Sequence, residues 1–154
     1  MSESYKHSYK VGENLLNSLS VYNVGYQRCE PNYQWGPGVR DHYCIHHILS
    51  GSGYYCTKNV SKHLEAGDTF ILYPGVELRY QADADMPWEY AWAGFMGADA
   101  ASLIRNTEFS RDTPYILKGR IPEERIREGL ERIYNAKGNT YEAAVAMTGE
   151  LYSL

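Results

Sequence analysis

Between residues 21 and 95 the hydrophobic positions come in short runs of Tyr, Val, Ile and Trp, broken repeatedly by Gly, Pro, Asn and Asp. Runs of that kind, recurring about every 8–12 residues, predict the antiparallel strands of a β-sandwich or small barrel. The predicted strands are 21–27, 42–49, 53–57, 69–73, 77–82 and 88–95. The breaks carry turn chemistry: Ser50-Gly51-Ser52-Gly53 tolerates positive φ, Lys58-Asn59 suits a hairpin, and Glu65-Ala66-Gly67-Asp68 and Tyr73-Pro74-Gly75 reverse the chain. After Gly97 the period lengthens to that of a helix. Residues 98–105 read as a short helix packed on the barrel, and a longer one starts at Pro122, where proline suits the first helical position and Glu123 and Glu124 complement the positive end of the helix dipole. Its apolar stripe is Ile126, Leu130, Ile133 and Tyr134, with Lys137-Gly138 as a stop. Asn139 or Thr140 then caps a third helix bearing Tyr141, Ala144, Val145, Met147, Leu151 and Tyr152, with no stop signal before Leu154. The pattern divides into an N-terminal arm (1–20), a β-barrel (21–97) and a helical segment (98–154) that reads as cut short before a further domain.

Composition narrows this picture. A chain of 154 residues with 44% hydrophobic and 22% charged residues suits one globular domain. A net charge of −4 is the wrong sign for wrapping a phosphate backbone, so direct nucleic-acid binding is not expected. With 15 Tyr against 3 Trp and 3 Phe, most aromatic surface carries a polar tip, as in wet pockets and interfaces. Cys29, Cys44 and Cys56 are odd in number, lack C-x-x-C spacing and follow no signal peptide, which reads as free thiols in a reducing cytoplasm. No apolar run approaches the roughly 18–20 residues of a membrane span. There is no G-x-S-x-G elbow, P-loop or dinucleotide fingerprint. Glu77 and Asp68 read as solvated turn carboxylates, and Arg125, Arg127, Arg132 and Lys137 interleave with Glu123, Glu124, Glu128 and Glu131 as a salt-bridged solvent face.

Two groups of residues remain as candidates for chemistry. On a strand, His42, Cys44 and His46 share one face while Tyr43, Ile45 and His47 share the other. Three donors on a face raise the question of a metal, but no second ligand cluster accompanies them, and hydrogen-bonded histidines on a sheet face are the simpler reading. The second group begins with Gly67-Asp68 leading a hydrophobic strand into Pro74-Gly75. It continues through Tyr80-Gln81-Ala82-Asp83 and ends on Pro87-Trp88-Glu89-Tyr90-Ala91-Trp92-Ala93-Gly94-Phe95-Met96-Gly97. From about residue 21 to the final helix, this sequence resembles the regulatory domain of the arabinose-regulator (AraC-type) transcription factors.

The resemblance implies a mainly β, cupin-like (jelly-roll) barrel followed by C-terminal α-helices that dimerise. Metal-ligand slots of metal-binding cupins would fall on Pro37, Val39, Cys44 and Leu78; three of these cannot bind a metal, so neither a metal nor another cofactor is expected. The same register places Arg40, His42, Cys44, His46 and Tyr80 inside the barrel. By the resemblance, Tyr80, Tyr90 and Trp92 are the ligand-holding positions, and an arginine used by the relatives aligns near Trp35 and Gly36, with Arg40 as its displaced substitute. Such a set suits a sugar, whose C–H face packs on an indole while its hydroxyls meet Tyr, His and Arg. The expected site is therefore Trp35, Arg40, His42, His46, Tyr80, Tyr90 and Trp92, with Trp88 more suited to the core.

The expected function is the ligand-sensing and dimerisation domain of a cytoplasmic transcriptional regulator of carbohydrate metabolism. It performs no reaction, and the pattern looks closest to regulators of oligosaccharide and α-galactoside operons. An arm over residues 5–19, with Leu15, Leu16 and Leu19, would close the barrel mouth. The stripe Ile126, Leu130, Ile133 and Tyr134 would pair two copies in a homodimer. DNA would be met only through a C-terminal helix-turn-helix domain not present in this chain. The alternatives are a metal-dependent cupin enzyme acting on a small sugar, and a stand-alone carbohydrate-binding module.

Overall fold

The computed structural model describes residues 3–11 and 17–154. Ten strands and three helices follow one another: β1 Tyr5–Lys10, β2 Ser20–Arg28, β3 Gln34–Gly38, β4 Tyr43–Ser50, β5 Ser52–Thr57, β6 Ser61–Glu65, β7 Thr69–Leu72, β8 Leu78–Ala82, β9 Glu89–Met96, α1 Ala100–Arg105, β10 Tyr115–Ile116, α2 Glu123–Asn135 and α3 Tyr141–Ser153. They form a six-stranded sheet in the order β1-β2-β9-β4-β7-β10 and a four-stranded sheet in the order β3-β8-β5-β6. All strand pairings within the two sheets are antiparallel.

Each predicted strand is present, with its ends moved by at most one residue. Four were not anticipated. Residues Tyr5–Lys10 of the N-terminal arm form β1, paired along its length with β2 from Tyr5↔Arg28 to Lys10↔Asn23; a Lys-bearing edge strand has no buried row to betray it. The strand β3 contains Pro37, which argues against a strand by propensity. The strands β6 and β10 are short, and β6 is mostly polar. Of the residues given to a closing arm, Leu15 and Leu16 lie outside the described residues, and Leu19 is buried in the core.

The larger sheet is covered on both faces. Its inner face turns toward the four-stranded sheet and contributes Ile48, Phe70, Leu72, Tyr90 and Trp92 to a core shared with Tyr55, Leu64, Leu78, Tyr80 and Trp88. Its outer face contributes Val21, Val24, Ile45, Ile71, Ala93 and Phe95 to a second core roofed by the helices. The stripe expected to pair two copies belongs to this roof. Ile126, Leu130 and Ile133 are buried against the chain's own sheet, and Tyr134 packs edge-on to Tyr26 of β2 at 5.4 Å between ring centroids. An apolar stripe buries itself on the nearest unpartnered sheet face, and here that face is intramolecular.

Local chemistry fixes the helix ends. Pro122 sits at the N-cap of α2, one position earlier than expected, with φ −55° and ψ 124°. Thr140 caps α3, its Oγ1 accepting from the Ala143 N–H at 3.1 Å. Arg127 pairs with Glu123 along α2, and Arg132 reaches across to Glu150 on α3 at 3.0 Å. Asp68 departs from expectation: it is buried, and its carboxylate accepts the N–H groups of Glu65 at 2.9 Å and Lys118 at 2.8 Å. It thereby fastens the β6–β7 turn to the segment before α2, a structural use of a charge that hydrogen bonds offset.

Candidate functional site

The two sheets do not close completely on one another. Between them lies a cavity lined from β1 by Lys6, from β2 by Asn23 and Gln27, from the β3 region by Tyr33, Trp35 and Arg40, and from β4 and its approach by His42, Cys44 and His46. Leu72, Tyr80, Tyr90 and Trp92 complete the wall. All seven residues singled out from the sequence are thus brought to one place. Trp88 is not among them: it is fully buried, stacked on Phe70 at 5.6 Å.

Strand alternation explains the wall. Along β4 the inward residues are Cys44 and His46, while Ile45 and His47 turn to the helical side, as period two requires. On β9 the inward pair is Tyr90 and Trp92. Gly25 of β2 makes room for the second ring: a Cβ there would meet Trp92 Cη2 at 2.8 Å and the His7 carbonyl oxygen of β1 at 2.2 Å.

His46 is the hub. Its imidazole stacks on Phe70 at 4.7 Å, lies 6.1 Å from Trp92 in a stacked arrangement, meets Tyr90 edge-on at 4.9 Å and tilts against Tyr80 at 5.2 Å. Burial among rings holds its pKa down to about 3, helped by the nearby Arg40 charge, so the ring is neutral at neutral pH. His42 is lowered too, chiefly by burial and against the opposing effect of Asp41, whose Oδ1 lies 2.9 Å from His42 Nδ1; its ring stacks on Tyr22 at 4.1 Å. Burial pushes the Cys44 thiol up to about 12 and raises the Tyr80 and Tyr90 phenols well above their ordinary range.

Two polar atoms in the wall stand out. Asn23 Oδ1 and His46 Nδ1 are buried and have no hydrogen-bond partner in the protein. Such atoms are uncommon in folded proteins because each forfeits its hydration without compensation. About 60 Å3 of the cavity is open to the centres of water-sized molecules, where one water needs about 10–15 Å3. The arrangement can therefore bind a small polar molecule by hydrogen bonds and ring stacking. Among the described residues no three His, Cys, Asp or Glu side chains gather as metal ligands would.

The sequence reading missed Lys6, Asn23, Gln27 and Tyr33 as wall residues. Asn23 and Gln27 carry a period-two signal on a predicted strand, but a register shift between Val21 and Asn23 breaks the phase that would have tied them to the valine row. Lys6 lay on the unrecognised edge strand.

The family described as the AraC-like ligand binding domain matches residues 20–152. Among curated proteins, the Msm operon regulatory protein of Streptococcus mutans serotype c is 40% identical over 89 residues, covering 58% of this chain and 32% of that protein. The raffinose operon transcriptional regulatory protein RafR of Pediococcus pentosaceus is 44% identical over 89 residues, 56% of this chain and 32% of that protein. The lactose operon transcription activator of Staphylococcus xylosus is 34% identical over 96 residues, 62% of this chain and 34% of that protein. The chain spans about a third of the length of these relatives. Among solved structures, YhaK from Escherichia coli superposes with a TM-score of 0.55 at 14% identity, over 75% of this chain and 52% of that one. The Cnp3 cupin domain of Schizosaccharomyces pombe superposes with a TM-score of 0.50 at 10% identity, over 68% and 72% respectively. At such identities the likeness concerns the fold, and the fold is cupin-like.

Proposed function

Because the chain belongs to the AraC-like ligand binding domain family, we propose that it is the effector-sensing part of a transcriptional regulator of carbohydrate metabolism, and that the cavity between its sheets takes a small sugar. The observation that carries this reading is the cavity between the sheets, walled by the rings of Trp35, Tyr80, Tyr90 and Trp92 together with the polar side chains of Asn23, Gln27, Arg40, His42 and His46. Sugar hydroxyls hydrogen-bond with such side chains, and the C–H face of a pyranose packs on an indole, the role we give Trp92. Tyr80, Tyr90 and His42 are placed for the hydroxyl edge. The names of the relatives, regulators of raffinose and lactose operons among them, point the same way.

The domain on this reading performs no reaction and works in the cytoplasm. Its effector shifts the balance between two arrangements of the molecule by no more than its differential affinity for them. The partner is a second copy of the chain. With the α2 stripe already buried, the exposed apolar side chains Tyr141, Val145 and Tyr152 of α3 are the surface we assign to that pairing. A helix-turn-helix module of the longer protein, rather than this acidic domain, meets DNA.

The test is calorimetric titration of the chain against mono-, di- and trisaccharides, repeated with Trp92→Ala. Saturable binding of one sugar that is lost in the variant is the expected result. If no saccharide binds, and Trp92→Ala only lowers the melting temperature, the cavity is not a sugar site and Trp92 is core.

A further inference from the structure

The charges around the cavity specify the ligand more narrowly, given the sensing role proposed above. Two of the described lining residues, Lys6 and Arg40, carry permanent positive charge, and none is Asp or Glu. In a chain with a net charge of −4 this is a local reversal of sign. Neither cation is neutralised by an ion pair among the described residues. The acid beside them, Asp41, is exposed, and its carboxylate is taken up by His42 Nδ1 at 2.9 Å.

The way Arg40 is held matters as much as its charge. Its guanidinium carbon lies 4.3 Å from the centre of the Trp35 ring, and Trp35 in turn stacks on Tyr80 at 5.6 Å. A guanidinium lodged against a ring by cation–π attraction keeps its N–H groups available to other acceptors. No described residue accepts a hydrogen bond from them. Lys6 Nζ stands 5.8 Å from the centre of the Trp92 ring, on the strand that borders the opposite side of the site. A neutral sugar would offer the Arg40 fork hydroxyl acceptors but no countercharge, whereas an oxyanion supplies both.

We propose that the ligand is an acidic sugar whose oxyanion, a phosphate or a carboxylate, is gripped by the Arg40 fork with Lys6 beside it, while its hydroxyl-bearing ring meets Asn23, His46 and Trp92. A planar carboxylate and a tetrahedral phosphate both match the edge of a guanidinium, so the two share one recognition chemistry.

The test compares glucose and galactose with their 6-phosphates and with glucuronate and galacturonate, by calorimetry on the unmodified chain at low and high salt. At least one acid form binds about tenfold or more tightly than its neutral parent, and the preference shrinks as salt is raised. Arg40→Met brings the ratio of acid to neutral affinity close to one, Arg40→Lys restores part of it, and Lys6→Gln on the exposed edge strand gives a smaller change of the same sign. Preference for a 6-phosphate over a uronate, or the reverse, identifies the source of the oxyanion. A neutral sugar that binds as tightly as its acid forms, or more tightly, overturns this inference while leaving the sugar-sensing reading intact. Failure of every acid form, together with every neutral saccharide of the wider panel, overturns both.

Discussion

The two faces of the six-stranded sheet are made by the same strands and are built to opposite ends. The outer face is largely apolar: Val24, Ile45, Ile71 and Phe95 share one core with Ile126, Leu130 and Ile133 of α2, with His47 buried among them beside Glu123. The inner face, one side-chain position away along the same backbone, presents Asn23, Gln27, His42, Cys44 and His46 to a cavity and leaves Asn23 Oδ1 and His46 Nδ1 without partners. The difference assigns stability to the helical side and recognition to the barrel side, and substitutions on the two faces should separate accordingly.

The largest effect is expected on the outer face. Ile133→Ala, at a fully buried position, should cost about 2–5 kcal/mol in urea unfolding, the sum of lost transfer free energy and an unfilled cavity. A loss well below that would mean that the helical roof contributes little to the fold. Acid stability comes next, and it belongs to the inner face. An unfolded His takes up a proton near its ordinary value of 6.5, whereas folded His46 resists until about 3. Between those values unfolding consumes a proton, so the stability held above pH 6.5 drains away as the pH falls toward 3. His42 and His47 are lowered in the same direction and add to this limb. His46→Phe should flatten the dependence of melting temperature on pH by up to one proton; an unchanged slope would show that His46 is not what resists protonation.

A smaller effect, with a sign that discriminates between the faces, is expected at Asn23. Asn23→Ala removes an unpartnered buried oxygen, so stability should change by about 1 kcal/mol at most and toward greater stability, while ligand affinity falls. Marked destabilisation would show that Asn23 holds the fold rather than a ligand. The mildest contrast concerns the thiols. Burial raises Cys29 to about 11 and Cys44 to about 12, whereas Cys56 is partly exposed beside Ser61. Alkylation at neutral pH should therefore label Cys56 well before the other two; rapid labelling of Cys44 would mean that the cavity opens much wider than its walls suggest.

Much of this was legible in the sequence because period two survives wherever a strand has one wet and one dry face. Alternation puts Cys44 with His46 on one face of β4 and Tyr90 with Trp92 on one face of β9, and the resemblance to the AraC-type domain implied which face is inward. What escaped did so for local reasons. The arm became β1 because its pairing is backbone hydrogen bonding to β2, to which side-chain patterning is blind. Asn23 and Gln27 were hidden by the irregularity after Val21. The helical stripe was visible as a stripe, but amphipathicity states only that a face is buried. That its cover is the chain's own sheet, not a second copy, is a property of the tertiary arrangement.

His46 and His47 are consecutive residues of β4. The first reaches into the cavity, and the second stands under α2, with Nδ1 2.9 Å from Thr69 Oγ1 and Nε2 3.9 Å from Glu123. The wall that meets a ligand and the floor that carries the helix are therefore one strand, separated by a single Cα–Cα step of about 3.8 Å. On the sensing role proposed above, such a molecule needs no long relay between what it feels and what it moves, since a shift of β4 would be registered on both sides of the sheet at once.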